Sequence, residues 1–209
     1  MKRNIIIHLH IFNNSFSGLI TLHFVKTFDI IVMQKGCLWS VDMYLTGYHG
    51  TTLESANNII EEGKFNISDS NTEWLGKGIY FYFDITDAYN WRDTEAILHS
   101  VIKINDNEYL DIDTDDGATI YNEIIDYIST IQGKEIDTST KNSQKNQCAV
   151  MKMMWDLNPN IKAISASFAT TPTKVRTLLD KRPRRKEFCV RDNDVIKCTQ
   201  LIRKGDLDD

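Results

Sequence analysis

Strand-like segments at both ends of the chain, separated by helical patterns, constrain the fold of this protein more than any other feature. β-Branched and aromatic residues are concentrated in these segments, as expected of strands. The strands are predicted at residues 46–49, 79–83, 97–104, 109–112, 161–168, 187–190 and 195–202, with a turn at 105–107 joining the third and fourth. This order favours the α+β class, with a pair of mostly antiparallel β-sheets and helices packed outside them.

Helices are predicted at residues 53–62, 86–91, 118–131 and 147–156. For the first, Thr51 and Thr52 supply capping hydroxyls and Gly63 supplies the stop. Its apolar side is predicted to contain Ala56, Ile59 and Ile60. The third helix is predicted from isoleucines at helical spacing, at positions 120, 124, 128 and 131.

The 209-residue length suits one domain, and the predicted boundaries are an N-terminal extension over 1–43 and a folded domain over 44–209. The extension begins like a signal peptide but is interrupted by histidines and asparagines, and translation from Met33 or Met43 is one explanation for it. No uninterrupted apolar run reaches the ~18 residues of a membrane span. A formal net charge of -5 argues against a protein that coats nucleic acid through its global field.

The four cysteines are widely separated and contain no Cys-x-x-Cys pair, so we expect unpaired thiols, no metal site and a reducing, cytoplasmic compartment. The acidic segment 111–116 superficially resembles a calcium loop. It lacks the glycine and the closing glutamate that such a loop requires. The sequence therefore predicts a protein without a bound metal.

Two blocks stand out as candidate functional segments. The first places His49 at the end of a predicted strand, followed by Gly50, whose missing side chain lets a ligand approach the backbone. The second places Gly76 and Gly78 just before a strand in which Tyr80 offers a ring for stacking. Each block also has an ordinary structural explanation, namely a packed histidine and a buried aromatic strand after a glycine turn.

Together, the two blocks resemble the ADP-ribosyltransferase superfamily of the diphtheria-toxin and poly(ADP-ribose) polymerase type, which carries a His-Tyr-Glu set. The resemblance rests on His49-Gly50-Thr51, on Gly78-Ile79-Tyr80-Phe81 and on a late acidic strand, and it spans roughly residues 48–196. Compact bacterial or phage-associated members look most similar. The resemblance implies two facing, mostly antiparallel sheets with peripheral helices and with NAD in the cleft between them.

The resemblance also implies roles for individual residues. His49 would donate a hydrogen bond to the adenosine-side ribose, the Gly50 backbone would hold the nicotinamide amide, and Tyr80 would stack on the nicotinamide ring. Trp91 is the first choice for an aromatic on the other side of that ring, with Tyr89 as the second. The implied NAD-binding residues are Tyr48, His49, Gly50, Thr51, Gly78, Tyr80, Trp91 and Tyr89.

Glu187 is the candidate for the acidic member of the set, which makes His49, Tyr80 and Glu187 the predicted catalytic residues. A carboxylate at this position would bind the nicotinamide ribose and stabilise the positive charge that grows as nicotinamide leaves. The alternative is a solvated glutamate at the end of a strand.

A basic run precedes Glu187, since five of the six residues 181–186 are Lys or Arg. Its arginines, Arg182, Arg184 and Arg185, are predicted to contact the phosphates of an acceptor, or alternatively the pyrophosphate of NAD. The alternative is a solvated loop, which is the usual fate of a charge run.

The expected function is NAD-dependent ADP-ribosyl transfer to a macromolecular acceptor, protein or RNA/DNA, with release of nicotinamide. The resemblance extends to toxins and antiphage effectors, so an antitoxin is an expected partner; no membrane contact is expected. Three alternatives remain open: a non-catalytic module that binds NAD or ADP-ribose, an RNA 2'-phosphotransferase, and an NAD glycohydrolase.

Overall fold

The computed structural model describes residues 41–70, 73–136, 144–169 and 184–207. The predicted N-terminal extension lies outside these residues up to position 40. Its last two residues, Asp42 and Met43, belong to the first strand and lie opposite Asn105 and Ile104. The sheet therefore begins two residues before the predicted domain boundary.

The described residues form seven strands and four α-helices. The strands are β1 (Asp42–Thr51), β2 (Ile79–Tyr82), β3 (Ala96–Asn105), β4 (Tyr109–Asp111), β5 (Ala163–Ala169), β6 (Arg184–Val190) and β7 (Ile196–Arg203). The helices are α1 (Leu53–Glu62), α2 (Ile85–Tyr89), α3 (Asp115–Gln132) and α4 (Gln144–Leu157). Each of these elements overlaps a segment predicted from the sequence, so the mixed helix and strand content is confirmed.

The strands form one seven-stranded sheet in the order β4-β5-β6-β2-β1-β3-β7. All neighbouring pairs are antiparallel except β4 and β5. The predicted antiparallel character is therefore confirmed. Two separate facing sheets are not seen among the described residues.

β3 and β4 follow one another in the chain but are separated by four strands in the pairing order of the sheet. The turn predicted between them is a short 3₁₀ helix, Asp106–Glu108. Instead of forming a hairpin, β4 pairs in parallel with β5, with Leu110 opposite Ile164. The local turn signal was present, but it did not determine which strands are neighbours.

β1 and β2 share fewer residue pairs than any other neighbouring strands of the described sheet. β1 pairs with β3 along its full length, from Asp42 to Thr51. With β2, in contrast, it shares the single residue pair Tyr48–Tyr82. The sheet is thus composed of two groups, β4-β5-β6-β2 and β1-β3-β7, which meet at one point.

Apolar packing covers both faces of the sheet. On one face, α1 packs with Ala56 and Ile59 against strand residues that include Phe81 and Phe188. On the other face, α3 and α4 cover β5 and β6. The buried residues of that second cluster are Leu75, Leu110, Ile124, Ile128, Ile136, Val150, Met151, Met154, Trp155, Ile164, Ala166 and Cys189.

Two helical isoleucines that fit the predicted periodicity are exposed. Ile60 is 42% exposed and Ile131 is 64% exposed. Ile60 follows Ala56 by four residues, about 40° round the helix, so it lies at the edge of the side formed by Ala56 and Ile59. Helical spacing therefore predicted the two helices, but not which isoleucines are buried.

The ends of α1 were predicted from local signals, and the structure confirms both. The Thr52 hydroxyl accepts a hydrogen bond from the Ser55 backbone N–H at 3.2 Å, and Gly63 ends the helix with a φ of 66°.

We expect Thr52→Ala to lower the free energy of unfolding by roughly 1 kcal/mol, because the N–H of Ser55 loses its acceptor. Urea unfolding followed by circular dichroism measures the change. Thr52→Ser keeps the hydroxyl and should unfold like the parent; equal losses in both variants would contradict the capping role.

Candidate functional site

The backbone of Gly50 faces a gap in the sheet. The carbonyl of Thr51 accepts a hydrogen bond from the N–H of Glu95, just before β3, at 3.0 Å. Because successive residues of a strand point their backbone groups to alternate sides, the N–H and C=O of Gly50 point toward β2. In the described residues the ladder between β1 and β2 ends at Tyr48–Tyr82, so these two groups have no ladder partner.

Tyr80 lines the gap from the other side. The N–H of Phe83 donates to Lys186 of β6 at 3.3 Å, and by the same alternation the backbone groups of Tyr80 point toward β1. The Tyr80 carbonyl accepts a hydrogen bond there from Nδ1 of His49 at 2.8 Å. We use the name β1–β2 opening for the gap between these two strands. It is bordered by the backbones of Gly50 and Tyr80 and is bridged by the hydrogen bond from His49 to the Tyr80 carbonyl.

The hydrogen bond to Tyr80 determines the tautomer of His49. A carbonyl oxygen only accepts, so Nδ1 carries the proton. Burial lowers the pKa of His49, and the bond to the Tyr80 carbonyl opposes that change only in part. The neutral ring therefore presents Nε2 as an acceptor. This corrects the prediction that His49 donates to a ribose hydroxyl, because its one N–H is already used.

The side chains of His49 and Tyr80 lie on opposite faces of the sheet. The His49 ring packs edge-on against Phe65 and Phe81, at centroid distances of 5.4 and 6.0 Å. The Tyr80 ring packs on the other face, against the cluster formed with α3 and α4. The two residues predicted to share a cleft are thus joined through the backbone carbonyl of Tyr80, not through adjacent rings.

The Tyr80 hydroxyl is held by the preceding loop. It donates to the Gly76 carbonyl at 2.6 Å and accepts from the Leu75 N–H at 3.0 Å. The loop is also attached to α4, because Nε1 of Trp155 donates to the Leu75 carbonyl at 2.6 Å. Burial raises the pKa of Tyr80, so the phenol stays neutral. Its position is fixed by β2, by the loop at Leu75 and Gly76, and by α4, which holds that loop.

The glycines of both motifs are required by the protein's own packing. A Cβ on Gly50 would lie 2.4 Å from the Ala88 carbonyl oxygen, and one on Gly78 would lie 2.3 Å from the sulfur of Cys189. The space that a side chain would take at each glycine is therefore occupied by neighbouring protein atoms. The sequence had predicted that a ligand would approach the backbone there. The role left to Gly50 is that of its backbone N–H and C=O.

Glu187 lies within β6, directly opposite Tyr82, and is 8% exposed. The alternative of a solvated glutamate at a strand end is therefore wrong. Burial raises the pKa of its carboxyl to about 7; Arg185 opposes this rise, and Asp87 adds to it. A glutamate with such a pKa is close to half ionised at neutral pH, which is typical of functional sites.

The remaining aromatic residues of the predicted NAD site, Tyr48, Tyr89 and Trp91, pack in one cluster with Tyr82. The Trp91 ring, just beyond α2, lies 6.0 Å from the Tyr82 ring, and Tyr89 belongs to the same cluster. Tyr48 stacks on His99 at a centroid distance of 5.1 Å. Tyr82 and Asp87 were not predicted as site residues. For Tyr82 there was a signal, because it follows Tyr80 by two residues and so shares its face of the strand.

The described part of the basic run belongs to β6 and not to a loop. Arg185 turns inward, with Nε 3.0 Å from an oxygen of Glu187. Lys186 pairs with Asp111 at 2.7 Å and with Asp113 at 3.4 Å. Arg184 lies opposite Ala169 in the sheet, and Arg182 lies outside the described residues. The charges of Arg185 and Lys186 are thus paired within the protein, which leaves the predicted contact of Arg185 with an acceptor without support.

The remaining sequence predictions concern thiols, metals and membranes. Cys148, Cys189 and Cys198 are unpaired, and Cys37 lies outside the described residues. Over the described ranges, no group of three or more His, Cys, Asp or Glu side chains is arranged to hold a metal ion. Within the same ranges, no helix combines the length and apolarity that crossing a bilayer requires.

Comparison with known proteins adds one partial match. No family model matches the chain. A stretch of 47 residues is 43% identical to the uncharacterized protein MJ0359 of Methanocaldococcus jannaschii. The match covers 22% of this chain and 22% of that relative. It assigns no activity.

Proposed function

We propose that this protein is an NAD-dependent ADP-ribosyltransferase that releases nicotinamide and transfers ADP-ribose to a macromolecular acceptor. The observation that carries the proposal is the β1–β2 opening, in which the Gly50 backbone has no ladder partner among the described residues and only strand β2 separates β1 from the strand that holds the buried Glu187. The motifs of the diphtheria-toxin and poly(ADP-ribose) polymerase type supply the second support. The meeting of β4-β5-β6-β2 and β1-β3-β7 at one residue pair agrees with a two-sheet arrangement of that kind.

NAD fits the opening by chemistry. The primary amide of nicotinamide has both donors and an acceptor, which complement the C=O and N–H of Gly50. On the face of the sheet opposite to the Tyr80 ring, the Nε2 of His49 is proposed to accept from a hydroxyl of the adenosine-side ribose. Tyr80 and Trp91 are the aromatic side chains proposed to contact the nicotinamide ring.

In the proposed reaction, the bond between the nicotinamide nitrogen and C1' of its ribose breaks, and the bonding electrons leave with nicotinamide. Positive charge develops on the ribose, where the carboxylate of Glu187 stabilises it. The acceptor nucleophile then forms a bond to C1' and loses its proton to water. Electrostatic help of this kind typically contributes about 3–4 kcal/mol, or ~10²–10³ in rate.

The test is incubation of the full chain with NAD labelled in the adenylate and with a cell lysate, followed by separate protease and nuclease digestion. Label removed by protease identifies a protein acceptor, and label removed by nuclease identifies RNA or DNA. Release of nicotinamide without any attached label would favour an NAD glycohydrolase. Neither label nor nicotinamide, with NAD bound, would favour a binding module and reject the transferase.

An RNA 2'-phosphotransferase would need a different acceptor substrate, because it removes a terminal 2'-phosphate from RNA. A 2'-phosphorylated oligonucleotide, added with NAD, should keep its 2'-phosphate if the proposal holds.

A toxin or antiphage role, with an antitoxin as its partner, belongs to the same proposal. Growth arrest on expression, abolished by Glu187→Gln, is the expected sign of it.

The proposal predicts a pH dependence set by Glu187. Its pKa of about 7 leaves the carboxyl protonated in acid, so kcat/KM for nicotinamide release should rise about tenfold per pH unit below about pH 6 and level off above about pH 8. Steady-state rates across this range measure it. A profile without an ionisation near 7 would contradict the assignment of Glu187.

The contribution of Glu187 to the free energy of unfolding should fall as the pH rises, in contrast to the rate. The folded state binds the Glu187 proton more tightly than the unfolded chain, so this stabilisation is present in acid and is lost as the pH rises from 4.5 through about 7. Glu187→Gln should remove this part of the pH dependence of unfolding.

A further inference from the structure

Arg185 and Glu187 form a pair on one face of β6. They are two residues apart in the strand, so their side chains point to the same side of the sheet. Nε of Arg185 lies 3.0 Å from Oε1 of Glu187. The contact is an ion pair without the alignment of a good hydrogen bond, since this Nε–H has no hydrogen-bond partner among the described residues.

Two aromatic rings hold the guanidinium of Arg185. Its central carbon lies 5.2 Å from the centre of the Tyr82 ring and 5.5 Å from that of the Trp91 ring. The Arg185 side chain is 26% exposed, and that of Glu187 is 10% exposed. A planar cation stacked on two rings has little freedom, so the position of its charge is defined before any substrate binds.

The other charged and titratable groups near Glu187 do not favour its ionised form. Asp87 of α2 and Glu73, in the loop before β2, both raise the pKa of Glu187. Burial raises the pKa values of the remaining neighbours, which therefore stay neutral at pH 7: Tyr80, Tyr82 and Cys189. Among the described residues, Arg185 is the cation in direct contact with the carboxylate.

We propose that Arg185 is a positioning residue for Glu187: packed against the rings of Tyr82 and Trp91, it favours the ionised form of the carboxylate and fixes its position. The inference rests on the proposed function for the importance of Glu187 to the reaction. It differs from the acceptor contact expected for this arginine from the sequence. The charge of Arg185 acts inside the site, on the group that must be negative when nicotinamide leaves.

Three variants separate charge, stacking and general effects. Arg185→Met keeps much of the side-chain length but removes the charge. Arg185→Lys keeps a positive charge but loses the planar group that stacks on the rings. Arg92→Met is the matched control, because Arg92 lies 4.7 Å above the Trp91 ring yet forms no ion pair with Glu187 among the described residues.

The direct measurement is titration of the Glu187 side-chain carboxyl by ¹³C NMR, with its signal assigned by its disappearance in Glu187→Gln. We expect Arg185→Met to raise the carboxyl pKa by about one unit or more, since each unit is a tenfold change in proton affinity. Arg185→Lys should stay within a fraction of a unit of the parent, and so should Arg92→Met. An unchanged titration in Arg185→Met would overturn the proposal, as would an equal shift in Arg92→Met.

The kinetic measurement is the pH profile of nicotinamide release. Arg185→Met should displace the acid limb to higher pH and lower kcat/KM about tenfold at pH 6, with a smaller loss at pH 9. A loss that is uniform over all pH values would mean a structural effect and contradict the positioning role. If the NMR titration shifts as expected but the parent itself releases no nicotinamide, the proposed function fails while the action of Arg185 on Glu187 stands.

Discussion

Replacing Glu187 by Gln should lower the rate of nicotinamide release by about 10²–10³ while leaving NAD affinity within a few-fold of the parent. The amide has nearly the shape of the carboxyl but cannot carry the negative charge that, in the proposed reaction, stabilises the positive charge growing on the ribose as nicotinamide leaves. Since the loss is confined to the transition state, kcat should fall much more than KM rises. Quantified nicotinamide and calorimetric NAD titration measure the two effects separately.

The control for this variant is Glu61→Gln, which changes an exposed glutamate of α1. It should retain the parent rate, and circular dichroism should show both variants folded. If Glu187→Gln releases nicotinamide at the parent rate, Glu187 has no catalytic role. A protein that binds NAD without consuming it would show no rate in either form.

Replacing His49 by Ala should weaken NAD binding by roughly 2 kcal/mol, or about 30-fold in Kd. Two interactions are lost together. The Tyr80 carbonyl loses its donor on one side of the β1–β2 opening, and the ribose hydroxyl loses Nε2 as its acceptor. Isothermal titration calorimetry with NAD measures the change.

His49→Asn separates the two interactions, because an amide nitrogen can replace Nδ1 as the donor to Tyr80 but offers nothing in place of Nε2. It should unfold close to the parent in urea and yet bind NAD as weakly as His49→Ala. Parent affinity in His49→Asn would mean that Nε2 makes no contact with NAD. Parent affinity in both variants would exclude the opening as the NAD site.

Short-range features of the fold could be predicted because the residues that cause them are neighbours in the chain. Thr52 and Gly63 define the ends of α1 through their own hydroxyl and left-handed backbone. Thr114 and Gly133 bound α3 in the same way. The strand segments were also predicted, because β-branched and aromatic residues favour extended backbone wherever the strand later pairs.

The arrangement of the strands could not be predicted in the same way. Nothing between β3 and β4 indicates that they do not pair with each other, because pairing depends on distant partners such as β5. The β1–β2 opening has the same origin. It exists because β1 pairs with β3 along its full length, while β2 pairs with β6 and shares only one residue pair with β1.

The candidate site illustrates the same division. Its residue types were predicted, since His49, Tyr80 and Glu187 stand out by their motifs. Their environments were not, because desolvation and charge pairing depend on what the fold brings near. The run 181–186 reads as a solvated charge cluster, yet the alternation of β6 turns Arg185 inward onto Glu187 and pairs Lys186 with Asp111.

The sequence by itself determined the elements, the ends of α1 and the identity of the candidate residues, because these follow from interactions within a few positions of the chain. Only the tertiary structure decided that the backbone of Gly50 has no ladder partner among the described residues, that His49 presents an acceptor and not a donor, and that a buried carboxyl is paired with an arginine two residues away. Each of these results from long-range strand pairing, which sets the faces, the gaps and the burial on which hydrogen bonding and ionisation depend.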